Sequence, residues 1–230
     1  MRWLVTIVLA VLGGFAGAAA WDFSGLGGPA TRDYLLAHPE VLPEAISRFQ
    51  VTQRQAQLAP VRGQLETPFP GAVLGNPQGK LTLVEFSDYA CTYCRQSVAD
   101  VRELIAGNPD LRVVVREFPI LRPESVDAAR MGLAAAQQGK FAAFHDAMYA
   151  LGPPNKETIE QAARQAGVDM GAADKAIATG LFDPFLKSNI AMAGQIGITG
   201  TPGWVIGNRI LDGAVGLSAL GDAVAEARKS

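Results

Sequence analysis

A strand, a short turn and a pair of cysteines follow one another in residues 81–94, which read LTLVEFSDYACTYC. The first six residues are mostly apolar or β-branched, and their number suits a strand buried in the middle of a sheet. Cys91 begins a predicted helix that runs to about Ile105, before the helix-ending Gly107-Asn108-Pro109. A second apolar strand, LRVVVREF, occupies residues 111–118. Strand, helix and strand at this spacing predict a βαβ unit with parallel strands.

Beyond residue 118 the chain predicts a long helical stretch, followed by two strands and a helix. The predicted elements are helices over residues 124–196, strands over residues 204–206 and 209–211, and a closing helix over residues 217–228. Gly207-Asn208 between the two strands is typical of a hairpin turn. When the helical stretch is set aside, the order is β-α-β followed by β-β-α. We therefore predict an α/β domain over residues 66–230 with a helical insertion at about residues 122–197.

The first twenty residues have the pattern of a secretory signal peptide. Arg2 is their only charge, residues 3–15 are apolar, and Ala18-Ala19-Ala20 offers a cleavage site. The apolar run is shorter than the about 20 residues that a membrane-spanning helix needs. The sequence thus predicts a signal peptide over residues 1–20 and a periplasmic location. An uncleaved N-terminal anchor is the alternative, and it too would place the domain outside the cytoplasm.

Residues 21–65 are predicted to form an N-terminal helical segment. Apolar residues recur at helical spacing in it, and Pro39 and Pro43 predict a break or a kink. Residues 61–79 are rich in proline and glycine, which predicts an extended linker or an irregular leading strand. The apolar stripe of the helical segment fits two roles. In the first role the stripe packs against the chain's own domain. In the second it is the contact surface of a homo-oligomer formed through residues 31–59.

Composition narrows the classes of function. The chain has 230 residues, of which 49% are hydrophobic and 18% are charged, and this balance predicts a folded protein with a substantial core. Its formal net charge of −2 does not suggest the basic face that binds nucleic acid. We therefore expect no nucleic-acid partner, and we expect no cofactor and no bound metal.

Cys91 and Cys94 are the only two cysteines of the chain and its strongest sign of chemistry. The start of a helix carries partial positive charge and unpaired N–H groups, so a thiol there is expected to have a lowered pKa and to act as a thiolate nucleophile. Cys94 lies one turn deeper, where it can resolve a mixed disulfide on Cys91. A disulfide between the two cysteines would stabilise the fold only slightly, because the loop that it would close is very short.

Two metal-binding interpretations compete with redox chemistry at these sulfurs. A zinc site needs about four ligands, and only His38 and His145 add to the cysteines as histidine or cysteine ligands. Two thiolates do suit a soft ion such as Cu(I), so a soft-metal carrier stays open.

Thr201-Pro202 supplies a second signal far from the cysteines in the chain. The dipeptide precedes a predicted strand, and its loop is expected to face the start of the helix at Cys91. A cis X-Pro bond usually marks a specific turn, whereas an ordinary trans turn is the alternative.

The motifs together match a known family. The segment VEFSDYACTYC over residues 84–94, Gly200-Thr201-Pro202 after a helical insertion, and FAAFHDAM over residues 141–148 resemble the DsbA-like branch of the thioredoxin superfamily. The resemblance covers about residues 81–230. It implies a thioredoxin fold with an inserted helical domain, preceded here by an N-terminal helical segment, and a thiol–disulfide exchange activity.

The same resemblance implies roles for individual residues. It makes Cys91–Cys94 a redox-active disulfide and Pro202 a cis-proline beside it, with Thr201 presenting its backbone to the substrate. It also implies that Glu85 helps proton movement at Cys94. The sequence context of Glu85 leaves two alternatives, a buried carboxylate with a raised pKa or a solvated residue at a strand edge.

Two departures from the family pattern bear on the direction of the reaction. Thr92-Tyr93 stands between the cysteines where the most oxidising members have Pro-His, so no imidazolium stabilises the thiolate. Thr201 precedes the proline, as in many isomerase-type and reductase-type members. Both weaken the case for a strong oxidase, and oxidation, isomerisation and reduction all stay open.

The leading segment adds a subgroup and implies partners. TRDYLLAHPEVL, residues 31–42, resembles the N-terminal region of ScsC-like and Com1-like proteins, which in ScsC-like members can mediate oligomerisation. The implied partners are exported cysteine-containing proteins and a membrane redox partner. Two alternatives come from other classes: a periplasmic soft-metal carrier using the same sulfurs, and a chaperone-like module that binds unfolded chains without turnover.

Overall fold

The computed structural model describes residues 2–23 and 28–229, and the chain divides into two compact units, Met1–Thr52 and Gln53–Ser230. The described helices of the first unit are α1 (Arg2–Phe23), α2 (Gly28–Ala37) and the greater part of α3 (Val41–Leu58). Pro39 lies between α2 and α3, which confirms the predicted break. Residues 1, 24–27 and 230 of the predicted segments lie outside the description. Within the part that is described, no helix combines the length and hydropathy that crossing a membrane requires.

The second unit carries the sheet. Its elements before the insertion are α4 (Arg62–Glu66), β1 (Val73–Gly75), β2 (Leu81–Ser87), α5 (Thr92–Gly107) and β3 (Leu111–Glu117). The insertion consists of α6 (Pro123–Gln137), α7 (Phe141–Leu151), α8 (Lys156–Gln165), α9 (Met170–Ala178) and α10 (Asp183–Gln195). The chain then returns to the sheet with β4 (Gly203–Ile206), β5 (Arg209–Asp212) and α11 (Gly216–Ala227).

The five strands lie in the order β1-β3-β2-β4-β5. Strands β2 and β3 are parallel, from Leu81 opposite Leu111 to Ser87 opposite Glu117, and the other pairs are antiparallel. The predicted βαβ unit and the predicted hairpin are therefore both confirmed. The outcome is the expected α/β arrangement, with five helices inserted between β3 and β4 and helices preceding the sheet.

Side chains of β2 alternate between two hydrophobic clusters, one on each face of the sheet. Leu83 packs into the cluster that contains Cys91 and Cys94, whereas Val84 and Phe86 pack into the cluster on the other face. Because successive side chains of a strand point to opposite faces, Glu85 shares the face of Leu83. The strand thus places a carboxyl on the same side of the sheet as the two cysteines.

Helix α4 lies where two predictions overlapped, and its residues follow the helical segment predicted for residues 21–65 rather than the extended stretch predicted for residues 61–79. Arg116 of β3 is buried, and its guanidinium donates hydrogen bonds to the carbonyls of Gln64, Leu65 and Thr67 at the end of that helix. Burial lowers the pKa of Arg116 to about 10, so the group stays charged at neutral pH. A cation at a helix C-terminus is favourable. The helix is therefore stabilised by a distant residue that local composition does not reveal.

Candidate active site

Cys91 occupies the N-cap position of α5, directly after the turn that leaves β2. Its sulfur accepts a hydrogen bond from the backbone N–H of Cys94 at 3.3 Å. Cys91 is 5% exposed and Cys94 is completely buried, and both are free thiols in this structure. The helix start thus holds the slightly exposed sulfur of Cys91 at its first turn and the fully buried sulfur of Cys94 one turn further in.

The two sulfurs differ in acidity. A hydrogen bond from the Cys94 thiol is the largest influence on Cys91 and lowers its pKa to about 6, against an opposing effect of burial. Burial is the largest influence on Cys94 and raises its pKa. The hydrogen bond between the Cys94 thiol and Cys91 raises this pKa further. Cys91 is therefore the more acidic of the two thiols and Cys94 the one that keeps its proton at neutral pH.

The loop before β4 lies against Cys91. The Thr201–Pro202 peptide bond is cis, and the Cys91 sulfur lies 3.3 Å from the backbone carbonyl oxygen of Thr201. The structure therefore brings the two predicted motifs together, although 110 positions separate Thr201 from Cys91 in the chain.

The two residues between the cysteines face outwards. Thr92 and Tyr93 are both exposed, and the side chain of Tyr93 is among the large apolar groups left on the surface, at 62% exposure. The Tyr93 backbone carbonyl accepts a hydrogen bond from Ser97 within α5. These side chains border Cys91 in the chain and are available for contact with another molecule.

Glu85 lies beneath the cysteines rather than at a solvated strand edge. It is 3% exposed on the central strand β2, between Val115 of β3 and Trp204 of β4. Burial raises its pKa to about 7, partly offset by a hydrogen bond with Ser87. Of the two alternatives that the sequence left open, the buried carboxyl is the one observed, and it changes charge near neutral pH.

Asp88 is a residue whose part in the site the sequence did not reveal. Its carboxylate is buried and accepts hydrogen bonds from the backbone N–H groups of Ala90 at 2.8 Å and of Ile120 and Leu121 at 2.9 Å each. Its backbone carbonyl accepts the N–H of Cys91 at 2.9 Å. Asp88 thereby ties the turn that carries Cys91 to the loop that follows β3.

A buried polar cluster surrounds the site from the side of the insertion; it consists of Ser87, Tyr89, Glu117, His145 and Tyr149. The Tyr149 hydroxyl lies 2.7 Å from the Ser87 hydroxyl, and the Tyr89 hydroxyl donates to Glu117 at 3.0 Å. His145 packs against the rings of both tyrosines. The family resemblance included His145 only as part of the motif over residues 141–148. Its place in this cluster was not predicted, because the other members of the cluster come from different parts of the chain.

The described residues contain no group of three or more histidine, cysteine or carboxylate side chains arranged to hold a metal ion. The two sulfurs remain the only pair of thiols, as the sequence already required.

Glu85→Gln is expected to flatten the dependence of stability on pH. Folding raises the pKa of Glu85 from 4.5 to about 7. The free energy of unfolding of the wild type is therefore highest below about pH 4.5, decreases as the pH rises, and becomes constant above about pH 7. This loss corresponds to about 3 kcal/mol. Glutamine does not ionise, so the variant should be more stable than wild type at pH 8 and similar to it at low pH. Urea unfolding across this range measures the difference.

The buried Glu117 serves as an internal reference for that experiment. Burial raises its pKa as well, so part of the pH dependence should persist in Glu85→Gln. A constant difference between variant and wild type at all pH values would contradict the assignment of the titration to Glu85.

Two family models match the chain. One described as thioredoxin matches residues 69–226, and one described as the N-terminal domain of the copper resistance protein ScsC matches residues 28–56. The first covers most of the chain and spans the whole sheet, including both cysteines and the cis-proline.

Solved structures agree with these matches. A thioredoxin-like oxidoreductase from Silicibacter pomeroyi is 41% identical, with a TM-score of 0.66 over 69% of this chain and 92% of that one. ScsC of Proteus mirabilis in a transitional conformation is 28% identical, with a TM-score of 0.66 over 87% of this chain and 93% of that one. A periplasmic thioredoxin-like protein of Salmonella enterica serovar Typhimurium is 27% identical, with a TM-score of 0.64 over 74% and 97% of the two chains.

Curated relatives are much longer than the matched region. The Na(+)/H(+) antiporter NhaA 3 of Salinispora tropica is 29% identical over 161 residues, which are 67% of this chain and 24% of that protein. The chain thus spans at most about a quarter of the length of the curated relatives that it matches. On the thioredoxin match over residues 69–226 and the ScsC match before it, the chain belongs to the thioredoxin family and is similar to its ScsC-like members.

Proposed function

We propose that this protein catalyses thiol–disulfide exchange on exported proteins, with Cys91 as nucleophile and Cys94 as resolving thiol. The observation that carries the proposal is the asymmetry of the two sulfurs. One is at a helix start with its pKa lowered to about 6, and the other is fully buried with a raised pKa. Only the thiolate attacks a disulfide, so the order of the two steps follows from this difference.

The proposed reaction begins when the Cys91 thiolate attacks one sulfur of a substrate disulfide. A bond forms between Cys91 and that sulfur, the substrate S–S bond breaks, and the other substrate sulfur leaves as a thiolate. Cys94 then gives its proton to Glu85 and attacks the Cys91 sulfur. The Cys91–Cys94 disulfide forms, the bond between Cys91 and the substrate sulfur breaks, and that sulfur leaves as a thiolate. The substrate is then fully reduced, so two electrons have passed to it from the cysteine pair. The reverse sequence oxidises a substrate dithiol.

The residues around Cys91 supply the surface for substrate. The cis-proline loop places the backbone of Thr201 next to the attacking sulfur, where an extended chain can pair with it by main-chain hydrogen bonds. Thr92 and Tyr93 are exposed beside it. We therefore assign Thr201 and Pro202 to substrate positioning, and Thr92 and Tyr93 to the contact surface.

We place the reaction in the periplasm, with a membrane redox partner that returns the cysteine pair to its starting oxidation state. The N-terminal signal pattern and the likeness to a periplasmic thioredoxin-like protein support this location. Neither Thr92 nor Tyr93 brings a positive charge to the thiolate, which favours a milder oxidant than members with Pro-His. The reduction potential of the pair separates oxidation from isomerisation and reduction.

The acidity of Cys91 tests the proposal directly. Ultraviolet thiolate absorbance of the reduced protein should show a transition with a midpoint of about 6. The variant Cys94→Ala removes the hydrogen bond that contributes most to this value, so its midpoint should move upwards. The wild type should also exchange a model peptide disulfide faster than a free dithiol does. An ordinary thiol midpoint with no catalysed exchange would overturn the proposal.

The two alternative functions predict different results from the same preparations. A soft-metal carrier would bind Cu(I) stoichiometrically and tightly through both thiols and would not catalyse exchange. A chaperone-like module would keep unfolded chains soluble equally well in wild type and in Cys91→Ser.

We further propose that the protein self-associates through residues 31–59. Helices α2 and α3 expose large apolar side chains, namely Tyr34, Leu36, Leu42, Ile46 and Phe49, and the ScsC N-terminal match covers residues 28–56. Light scattering of the full chain should give a multiple of the monomer mass, and Phe49→Glu should lower it. The neighbouring exposed Gln50→Glu is the matched control and should not. A monomeric wild type would contradict this proposal.

A further inference from the structure

Arg95 lies one helical turn beyond Cys91 on α5. Its backbone N–H donates to the Cys91 carbonyl at 3.1 Å, and residues four positions apart share one face of a helix. Helical side chains tilt towards the N-terminus of their helix, and four residues span about 6 Å of its axis. The long arginine side chain covers such a distance, so the Arg95 guanidinium belongs to the surface beside the Cys91 sulfur.

The positive charge of Arg95 is not used inside the protein. Arg95 is half-buried, and its Nε is buried without a hydrogen-bond partner among the described residues. Its guanidinium forms no salt bridge within the part of the chain that the structure describes. Arginines elsewhere in the second unit do pair with a carboxylate, namely Arg62, Arg102, Arg130, Arg164, Arg209 and Arg228. The arginine next to the proposed nucleophile is therefore available to an incoming molecule.

A second arginine borders the site from the loop after β3. Ile120 and Leu121 donate their backbone N–H groups to the Asp88 carboxylate, and the Asp88 carbonyl accepts the N–H of Cys91. Arg122 follows directly in the chain and is exposed. It too forms no salt bridge among the described residues. The link through Asp88 thus holds a second unpaired cation near Cys91, on a different element from Arg95.

The carboxyl groups beneath the site do not neutralise these two arginines. Glu85, Asp88 and Glu117 are all buried. The Asp88 carboxylate is occupied by three backbone N–H groups, and Glu117 accepts the hydroxyl of Tyr89. Glu85 has a hydrogen bond with Ser87. A carboxylate that balances the two guanidinium groups would therefore come from a bound substrate.

We propose that Arg95 and Arg122 select substrates in which the reacting cysteine is flanked by aspartate or glutamate. The substrate carboxylate pairs with one of the two guanidinium groups while the substrate sulfur meets Cys91. Lysine or arginine at the same position of a substrate would be repelled, so the two cations discriminate in both directions. This inference rests on the proposed function and names the class of exported protein on which it acts.

Three peptide disulfides that differ in one position test the charge preference. The residue flanking each cysteine is glutamate, glutamine or lysine. Each rate of reduction by the protein is divided by the rate with dithiothreitol, because the flanking charge also changes the reactivity of the disulfide itself. The wild type should reduce the glutamate peptide about tenfold faster than the lysine peptide at low ionic strength. In about 0.5 M salt this ratio should fall towards one, because the charges are then screened.

Substitutions of the two arginines should change this ratio in a graded way. Arg95→Gln and Arg122→Gln should each lower it to about a third of the wild-type value, and Arg95→Glu should make the lysine peptide the better substrate. Arg102→Gln is the matched control, since Arg102 lies on the same helix and is already paired with Asp146. Its ratio should equal that of wild type. Because the ratio is taken within one variant, a change in the fraction of Cys91 thiolate or in stability cancels from it.

The outcomes separate the selection of substrates from the exchange function. Equal normalised rates for the three peptides in the wild type would overturn the selection and leave the exchange function standing. A preference that persists when Arg95→Gln and Arg122→Gln are combined would also overturn it, as would an Arg95→Gln variant that is slowed equally on all three peptides. A wild type that reduces none of them faster than a free dithiol would overturn the exchange function itself.

Discussion

Cys91→Ser is expected to lower the rate of disulfide exchange on the order of a thousandfold or more. Serine has no thiolate, and Cys94 cannot replace Cys91, because Cys94 is completely buried and its pKa is raised. Reduction of a model protein disulfide, followed by turbidity or mass, measures the loss. Thermal unfolding should remain close to that of the reduced wild type, because a hydroxyl occupies nearly the same space as the thiol.

Cys94→Ser is the matched variant and should behave differently. Its Cys91 still attacks a substrate disulfide, but no thiol is left to resolve the product. Mixed disulfides with substrate should therefore accumulate and be visible by non-reducing electrophoresis and mass measurement. If Cys91→Ser accumulated them instead, the proposed order of the two cysteines would be reversed. If neither variant changed the exchange rate, the sulfurs would not be the reacting groups.

Asp88→Ala is expected to destabilise the fold by about 3 to 5 kcal/mol and to slow exchange at Cys91. The carboxylate accepts three backbone hydrogen bonds, from Ala90, Ile120 and Leu121, and alanine would leave these buried N–H groups without their acceptor. The turn that carries Cys91 would then lose its link to the loop after β3. Urea unfolding gives the stability, and the rate of Cys91 alkylation reports the change at the sulfur.

Two further substitutions separate this link from a general effect of removing a carboxylate. Asp88→Asn keeps one acceptor oxygen and should fall between wild type and Asp88→Ala in stability. Asp174 is an exposed residue of α9, and Asp174→Ala should change the unfolding free energy by less than about 0.5 kcal/mol. Equal effects of Asp88→Ala and Asp174→Ala would contradict the role of Asp88.

The candidate site was predictable where the evidence is local in the chain. Cys91 follows an apolar strand and begins a helix, and this order alone predicted a lowered pKa for its thiol. The hairpin around Gly207-Asn208 and the parallel pairing of β2 with β3 followed from strand lengths and turn residues. The meeting of Thr201 with Cys91 followed from the predicted order of strands and helices, which places the loop before the third strand against the start of the helix, and the resemblance to a family added the cis-proline.

The remaining features depend on contacts between distant elements. Asp88 has its role because the loop after β3 returns to the turn before α5. His145 faces Glu85 across a cavity because the insertion folds back over the sheet. The carbonyls at the end of helix α4 are bound by Arg116, which lies about fifty positions away in the chain. These contacts between distant elements cannot be predicted from composition or periodicity.

The Cys-Thr-Tyr-Cys pair, its place at a helix start and the order of strands and helices are properties of the sequence, because each rests on neighbouring residues and on periodicity. The burial that raises the pKa values of Cys94 and Glu85 was decided by the tertiary structure. Their pKa values depend on how deeply each group is buried and on which partners reach it, and folding alone brings those partners together.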